Sequence, residues 1–300
     1  MRAFVFPGQG SQFVGMGQEG MSSSVFRETL EFANDTLGEN LSKLIAEGPA
    51  EQLQLTRNCQ PAILAVSVAY ARLLQERGIN CDIVAGHSLG EFSALVIAGA
   101  FSFEDALHLT RIRGELMQAA VPAGEGAMAA ILGIEDQDDL IRLCEEAAQG
   151  EVVEPSTYNC PRQMVVSGHT SAVERACVLA KRHGAFAAKR LAVSAPFHCS
   201  LLSSAGEGLA EALKNYAPKR PSIPIVPNVS AKVLTDPDGE TIASLLVQQV
   251  TQPVRWHECV CSMVQFGVME IIEVGPGSVL TRLARRIDRK IDAKTVLRVE

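Results

Sequence analysis

Hydrophobic and polar positions follow two different periods along the chain. Arg2 to Phe6 is a short β-rich run that stops at Pro7, and Gly8, Gly10, Gly15 and Gly17 then mark a loop. Val25–Glu47 and Pro61–Arg77 carry apolar residues at helical spacing; Ala62, Ala65, Val66, Ala69, Leu73 and Leu74 are the plainest case. Ile83, Val84 and Ala85 form an apolar run that enters Gly86-His87-Ser88-Leu89-Gly90, after which Glu91–Ala98 resumes a helical pattern. This order predicts a strand, a sharp turn and a helix.

The middle of the chain changes character. Ala127–Leu132 reads as a strand, Asp136–Ala148 as a helix, Val152–Tyr158 and Gln163–Ser167 as strands, Ser171–His183 as a helix and Ala188–Val193 as a strand. A β-α-β-β-α-β order is that of a small ferredoxin-like module, and the strand and helix signals of a larger fold resume after it. Those signals are a strand over Ile223–Val229, helices over Ile242–Val250 and Trp256–Phe266, a strand over Met269–Val274 and a last helix from Ser278. The module therefore reads as an insertion. Residues 126–195 are assigned to it, and 1–125 with 196–300 to the large α/β domain.

Composition narrows the function classes. An apolar fraction of 47% with 20% charged residues describes a chain that packs a core rather than a disordered one. A net charge of −7 argues against a surface that tracks nucleic acid. The longest apolar stretch, Ala62 to Leu74, is broken by Ser67, Tyr70 and Arg72, so no membrane span is expected. The first residues hold no charged segment followed by a secretory hydrophobic run, which makes the cytoplasm the expected address. Of the eight cysteines, Cys259 and Cys261 form only C-x-C with no second pair at zinc spacing, so neither disulfides nor a metal site is expected.

Gly86-x-Ser88-x-Gly90 has the pattern of a nucleophile elbow, in which a strained turn presents a serine hydroxyl above free N–H groups at a helix start. A glycine-bounded turn with a helix-capping serine fits the same five residues. A serine nucleophile needs a base, and the chain has six histidines. His108 and His183 fall among charged residues on helices and are expected in solvent. His87 is in the elbow and is read as a packing or orienting residue, while His169 and His257 have no distinguishing context. His198, in Ser194-Ala195-Pro196-Phe197-His198, lies where the insert returns to the main fold, a favoured place for a cleft. Taken singly, a histidine in such a place is more often structural than a base.

Further motifs decide the matter. Phe6-Pro7-Gly8-Gln9-Gly10-Ser11-Gln12, the elbow with Glu91, Arg111-Ile112-Arg113-Gly114, Ala195-Pro196-Phe197-His198 and Glu273-Val274-Gly275-Pro276-Gly277 occur in one order. In that order and spacing the chain resembles the malonyl-CoA:acyl-carrier-protein transacylases of bacterial fatty-acid synthesis, from Phe4 to Ile287. The resemblance implies an α/β fold: an α/β-hydrolase-like core with a parallel sheet and an inserted ferredoxin-like subdomain. It implies Ser88 as the nucleophile that accepts malonyl as an ester and His198 as its base, with no third carboxylate. It further implies the backbone N–H groups of Gln9 and Leu89 as the oxyanion hole, Arg113 as the partner of the malonyl carboxylate, Asn159 as a polar pocket residue, and Gln249 at the position that holds the second imidazole nitrogen. Which Gln249 atom does so is open from sequence.

The implied partners are malonyl-CoA and holo acyl carrier protein, with no nucleic acid, no membrane and a monomeric state. No cofactor is implied, since coenzyme A is part of the substrate. Lys181-Arg182, Lys189-Arg190 and the set Arg282, Arg285, Arg286, Arg289 and Lys290 are candidate docking surfaces for an acidic carrier, though the last set equally fits an amphipathic surface helix. Phe197 before His198 is the version associated with malonyl rather than methylmalonyl. Cys199, where a serine is usual after the histidine, and Cys160, where a serine is common after Asn159, depart from the pattern. Two other readings remain: an α/β-hydrolase, which would need an Asp or Glu such as Asp136, Asp138 or Asp139 between serine and histidine, and a non-catalytic carrier-binding scaffold.

Overall fold

The computed structural model describes residues 1–193 and 195–298. Ser194, which the sequence puts in the junction loop, and the last two residues of the large domain lie outside the described residues. Among the described residues, nine strands form two sheets: β1 (Arg2–Phe6), β2 (Ile83–Gly86), β7 (Ile225–Val226), β8 (Glu270–Glu273) and β9 (Asp292–Thr295) in one, and β3 (Gly126–Leu132), β4 (Val153–Cys160), β5 (Gln163–His169) and β6 (Ala187–Arg190) in the other.

The first sheet is parallel, in the order β7-β2-β1-β8-β9. Its central strand alternates: Phe4 and Phe6 pack into the core on one face with Val84 and Phe92, and Ala3 and Val5 into that on the other with Ile83 and Trp256. Burial on both faces is what parallel sheets require. The register pairs Phe6 with Gly86, so the loops leaving β1 and β2 emerge side by side at the carboxyl edge. That edge is where α/β sheets bind ligands. The Glu273 motif is a capping device. Its carboxylate, wholly buried, accepts the N–H groups of Leu280 and Thr281 at 3.0 and 2.8 Å and fixes the start of the helix Val279–Ile287.

The second sheet is antiparallel, in the order β4-β5-β3-β6, with the helices Gln137–Ala148 and Thr170–Leu179 packed on it. That is the ferredoxin-like arrangement its sequence order predicts. It is tied to the parallel core near the His198 loop. Ser156 Oγ donates to the Phe197 carbonyl at 3.0 Å, Tyr158 N–H donates to the Val254 carbonyl, and Val254 N–H donates to the Ser156 carbonyl, both at 2.9 Å.

Several expected elements differ. Val25–Glu47 is two helices, Ser24–Leu37 and Leu41–Glu47, because Gly38 takes φ 64° at the first C-terminus and the Asn40 side chain caps the second by accepting Lys43 N–H. The helix expected from Pro61 starts at Thr56 and holds Pro61 inside it. The strand over Ile223–Val229 shrinks to two residues, since Pro224 and Pro227 bracket them and lack an N–H for the ladder. β6 stops at Arg190 rather than Val193. His108 and His183 are not simply solvated: the first stacks on Tyr216 with centroids 5.7 Å apart, and Nε2 of the second lies 2.8 Å from Glu146. Among the described residues, no helix is long and apolar enough to cross a membrane.

Candidate active site

β2 ends directly in the elbow, and Ser88 takes φ 52°, a left-handed conformation that a non-glycine residue adopts only under constraint. Gly90 supplies the room, because a Cβ there would overlap the Phe6 carbonyl oxygen. His198 is also left-handed, at φ 60°. Both strained residues face each other: Ser88 Oγ lies 2.8 Å from His198 Nε2. His198 Nδ1 is 2.7 Å from the main-chain carbonyl of Gln249, an obligate acceptor, so Nδ1 carries the ring proton and Nε2 is left with its lone pair toward the serine. The atom of Gln249 that holds the imidazole is thus its backbone oxygen.

The Gln249 side chain does something else. Its Oε1 accepts from Arg113 Nη2 at 3.0 Å, and its Nε2 donates to Glu91 Oε2 at 2.8 Å and to the Ser88 carbonyl at 3.1 Å. Arg113, on the helix Phe103–Ala119, is 2% exposed; it donates to Gln60 Oε1 at 2.8 Å and, through Nη2, to Ser88 Oγ at 3.2 Å. Its guanidinium also lies over the Phe92 ring, 5.6 Å from the centroid. A buried cation therefore touches the same hydroxyl as the imidazole.

Burial, and after it the Arg113 charge, push His198 down to about 3, so the imidazole is neutral. Burial likewise lowers Arg113 to about 10, against the pull of Glu91, and raises the Glu91 carboxyl to about 7. A neutral base beside a charged arginine is the state needed to accept a hydroxyl proton.

These groups open onto a cavity of about 830 Å³ between the two sheets, lined by Gln9, Ser88, Asn159, His198, Val165 and Leu283 among others. Neither the Gln9 nor the Leu89 backbone N–H is given to an acceptor among the described residues. Gln9 reaches Thr56 Oγ1 with its side chain at 3.3 Å, and the Leu89 side chain is buried. Asn159 lines the cavity and holds His87 Nε2 at 2.9 Å, while the His87 ring rests against Trp256. His87 is thus engaged by Asn159 and Trp256 rather than by the serine hydroxyl.

Three residues of this site were not singled out from sequence. Gln60 holds Arg113; Asn228 accepts Ser88 N–H on Oδ1 at 2.7 Å; Glu91 bonds both Gln249 and the Asn228 N–H. Glu91 stands in the elbow motif and so carried a signal. Gln60 and Asn228 carry none beyond being polar residues in apolar surroundings.

An elbow serine hydrogen-bonded at the edge of a cleft to a neutral histidine, itself oriented by a main-chain carbonyl, is the arrangement of a serine-dependent acyl-transfer class of protein. The chain belongs to the acyl transferase domain family, whose model matches residues 3–297. It is 46% identical to the malonyl CoA-acyl carrier protein transacylase of Haemophilus influenzae, over 98% of this chain and 94% of that one, and 47% identical to the Escherichia coli K12 protein of the same name, over 95% and 92%. Among solved structures, an acyl carrier protein S-malonyltransferase from Vibrio cholerae superposes with a TM-score of 0.94 at 46% identity, covering 98% of this chain and 96% of that one. A malonyl-transacylase solved in complex with a type II PKS acyl-carrier protein gives 0.94 at 44% identity, covering 98% and 94%.

Proposed function

We propose that this protein moves a malonyl group from malonyl-CoA to the phosphopantetheine thiol of acyl carrier protein, through a malonyl ester on Ser88. The observation that carries the reading is the convergence on one hydroxyl: His198 Nε2 at 2.8 Å and Arg113 Nη2 at 3.2 Å from Ser88 Oγ.

The residues take these roles in order. Ser88 Oγ attacks the thioester carbonyl while His198 Nε2 takes its proton, and the Gln249 carbonyl holds the imidazolium through Nδ1–H. The N–H groups of Gln9 and Leu89 receive the oxyanion. Collapse expels the coenzyme A sulfur, which leaves with the proton from His198. The carrier thiol then gives its proton to the same nitrogen and attacks the ester, restoring the serine. Transfer between two thiols is nearly isoenergetic, so the site need only supply nucleophile, base and oxyanion donors. Coenzyme A enters as part of the substrate.

Arg113 pairs with the free malonyl carboxylate, which displaces the serine hydroxyl from Nη2. That carboxylate also neutralises the charge that disfavours imidazolium formation on His198, so the substrate strengthens its own base. Asn159 borders the cleft as a polar wall. We read 126–195 as an insert into a domain of 1–125 and 196–300, with the cleft between them. Arg282, Arg285 and Arg286 are exposed on the helix Val279–Ile287, which borders the cavity, and offer an acidic carrier a basic approach. We read the cytoplasm as its setting, with Cys59, Cys144, Cys160, Cys199 and Cys259 buried as small hydrophobic residues. A hydrolase would place a carboxylate on His198 Nδ1, where Gln249 O stands instead.

Two measurements follow. With malonyl-CoA and holo carrier varied together, double-reciprocal plots are expected to be parallel, the pattern of a covalent intermediate; intersecting lines would mean direct transfer in a ternary complex. The pH profile of Ser88 loading is expected to stay flat from about pH 8 down to 5.5. An ordinary imidazole with pKa about 6.5 would cost about tenfold at pH 5.5, whereas a base lowered to about 3 costs nothing there. Glu91, raised to about 7, titrates in the same window, so the profile is repeated in Glu91→Gln; an inflection near 6.5 that persists there would contradict the buried neutral base.

A further inference from the structure

Beneath the dyad lies a buried polar cluster that touches none of the reacting atoms. Asn228, wholly buried two residues beyond β7, spans the elbow with its side chain: Oδ1 accepts Ser88 N–H at 2.7 Å and Nδ2 donates to the Gly86 carbonyl at 2.6 Å. The amide thus pairs with the backbone on either side of His87, as a neighbouring strand would. Asn228 N–H in turn donates to Glu91 Oε2 at 3.0 Å, and the same oxygen accepts Gln249 Nε2 at 2.8 Å.

One carboxylate oxygen therefore anchors both halves of the dyad. Through Asn228 it fixes the backbone that carries Ser88; through the Gln249 side chain it fixes the residue whose carbonyl holds His198. Ser88 at φ 52° and His198 at φ 60° are conformations that persist only when their surroundings over-determine them, and the segment carrying Asn228 contributes only a two-residue strand to the sheet.

We propose that Glu91 and Asn228 are positioning residues that set the Ser88–His198 geometry from both sides, without contact to substrate. This deepens the serine-ester reading and rests on it. A misplacement of the order of 1 Å at reacting atoms costs about a hundredfold in rate. Asn228→Ala and Glu91→Ala are accordingly expected to slow malonyl loading of Ser88 about 30- to 100-fold per folded molecule. Malonyl-CoA affinity and the malonyl-to-acetyl ratio, which Arg113 governs, should hold within about threefold.

The test is rapid-quench loading with malonyl-CoA, read by intact mass, with the folded fraction taken from thermal melts and affinity from calorimetry on the same variants combined with Ser88→Ala. Glu91→Gln retains an oxygen that accepts both N–H groups and is expected to load at least about tenfold faster than Glu91→Ala. Asn228→Asp keeps the size and the Oδ1 acceptor but loses the donor to Gly86, and decides the matter if the alanine variants do not fold; loading about tenfold slower at unchanged affinity supports the proposal. Loading within threefold of the parent in a folded Asn228 variant, or Glu91→Gln as slow as Glu91→Ala, overturns it. A rate loss matched by equal losses in affinity and selectivity overturns it too. Malonyl arriving on a residue other than Ser88 overturns the serine reading itself, a result distinct from undiminished loading on Ser88.

Discussion

Replacing His198 by alanine is expected to slow malonyl loading of Ser88 by about 10²- to 10⁴-fold, the span that a positioned general base supplies. His198 Nε2 is the only ring nitrogen within hydrogen-bond distance of Ser88 Oγ among the described residues, and its lone pair is directed there because the Gln249 carbonyl demands the proton on Nδ1. His87, the other histidine of the elbow, cannot substitute. Its Nε2 is bound to Asn159 and its ring lies against Trp256. The loss should fall on the rate constant of loading and leave malonyl-CoA binding close to the parent, since Arg113 is untouched. Near-parental loading by a folded His198→Ala variant would mean that the base is elsewhere.

Replacing Arg113 by alanine is expected to collapse discrimination between malonyl- and acetyl-CoA by about 10- to 150-fold. That range corresponds to the loss of a charge-assisted hydrogen bond of about 1.5–3 kcal/mol. The ratio of loading rates for the two substrates is the right observable, because Arg113 is also hydrogen-bonded to Gln60 and Gln249 and its removal leaves both amides short of a partner. Such damage slows both substrates alike and cancels in the ratio. Discrimination should appear in the loading rate as well as in affinity, because only the malonyl carboxylate offsets the charge that lowers His198. Arg113→Lys keeps a cation but not the planar fork, and should restore part of the preference. An unchanged ratio in Arg113→Ala would remove the residue from carboxylate recognition.

The parts of this site legible in the sequence are those built locally. Gly86-His87-Ser88-Leu89-Gly90 declares itself because strand, strained turn and helix follow one another within one stretch of chain, and the inserted sheet declares itself because each element brings its own period. Glycine and proline misled where they were discounted: Gly38 divides one expected helix, Pro61 is carried inside another, and Pro224 and Pro227 cut an apolar run down to two paired residues. β9 went unread because Asp292 and Lys294 on a sheet edge break the apolar pattern. Asn228 and Gln60 were silent for a different reason. Their meaning comes from partners far along the chain, brought together by the parallel register, and no local period encodes a contact of that kind.

The most direct test of the account is intact-protein mass spectrometry after brief mixing with malonyl-CoA, followed by holo acyl carrier protein, with Ser88→Ala alongside. A single malonyl increment is expected, absent from Ser88→Ala and discharged onto the carrier far faster than by water. An increment that survives in Ser88→Ala, or one lost to water as quickly as to the carrier, would contradict it.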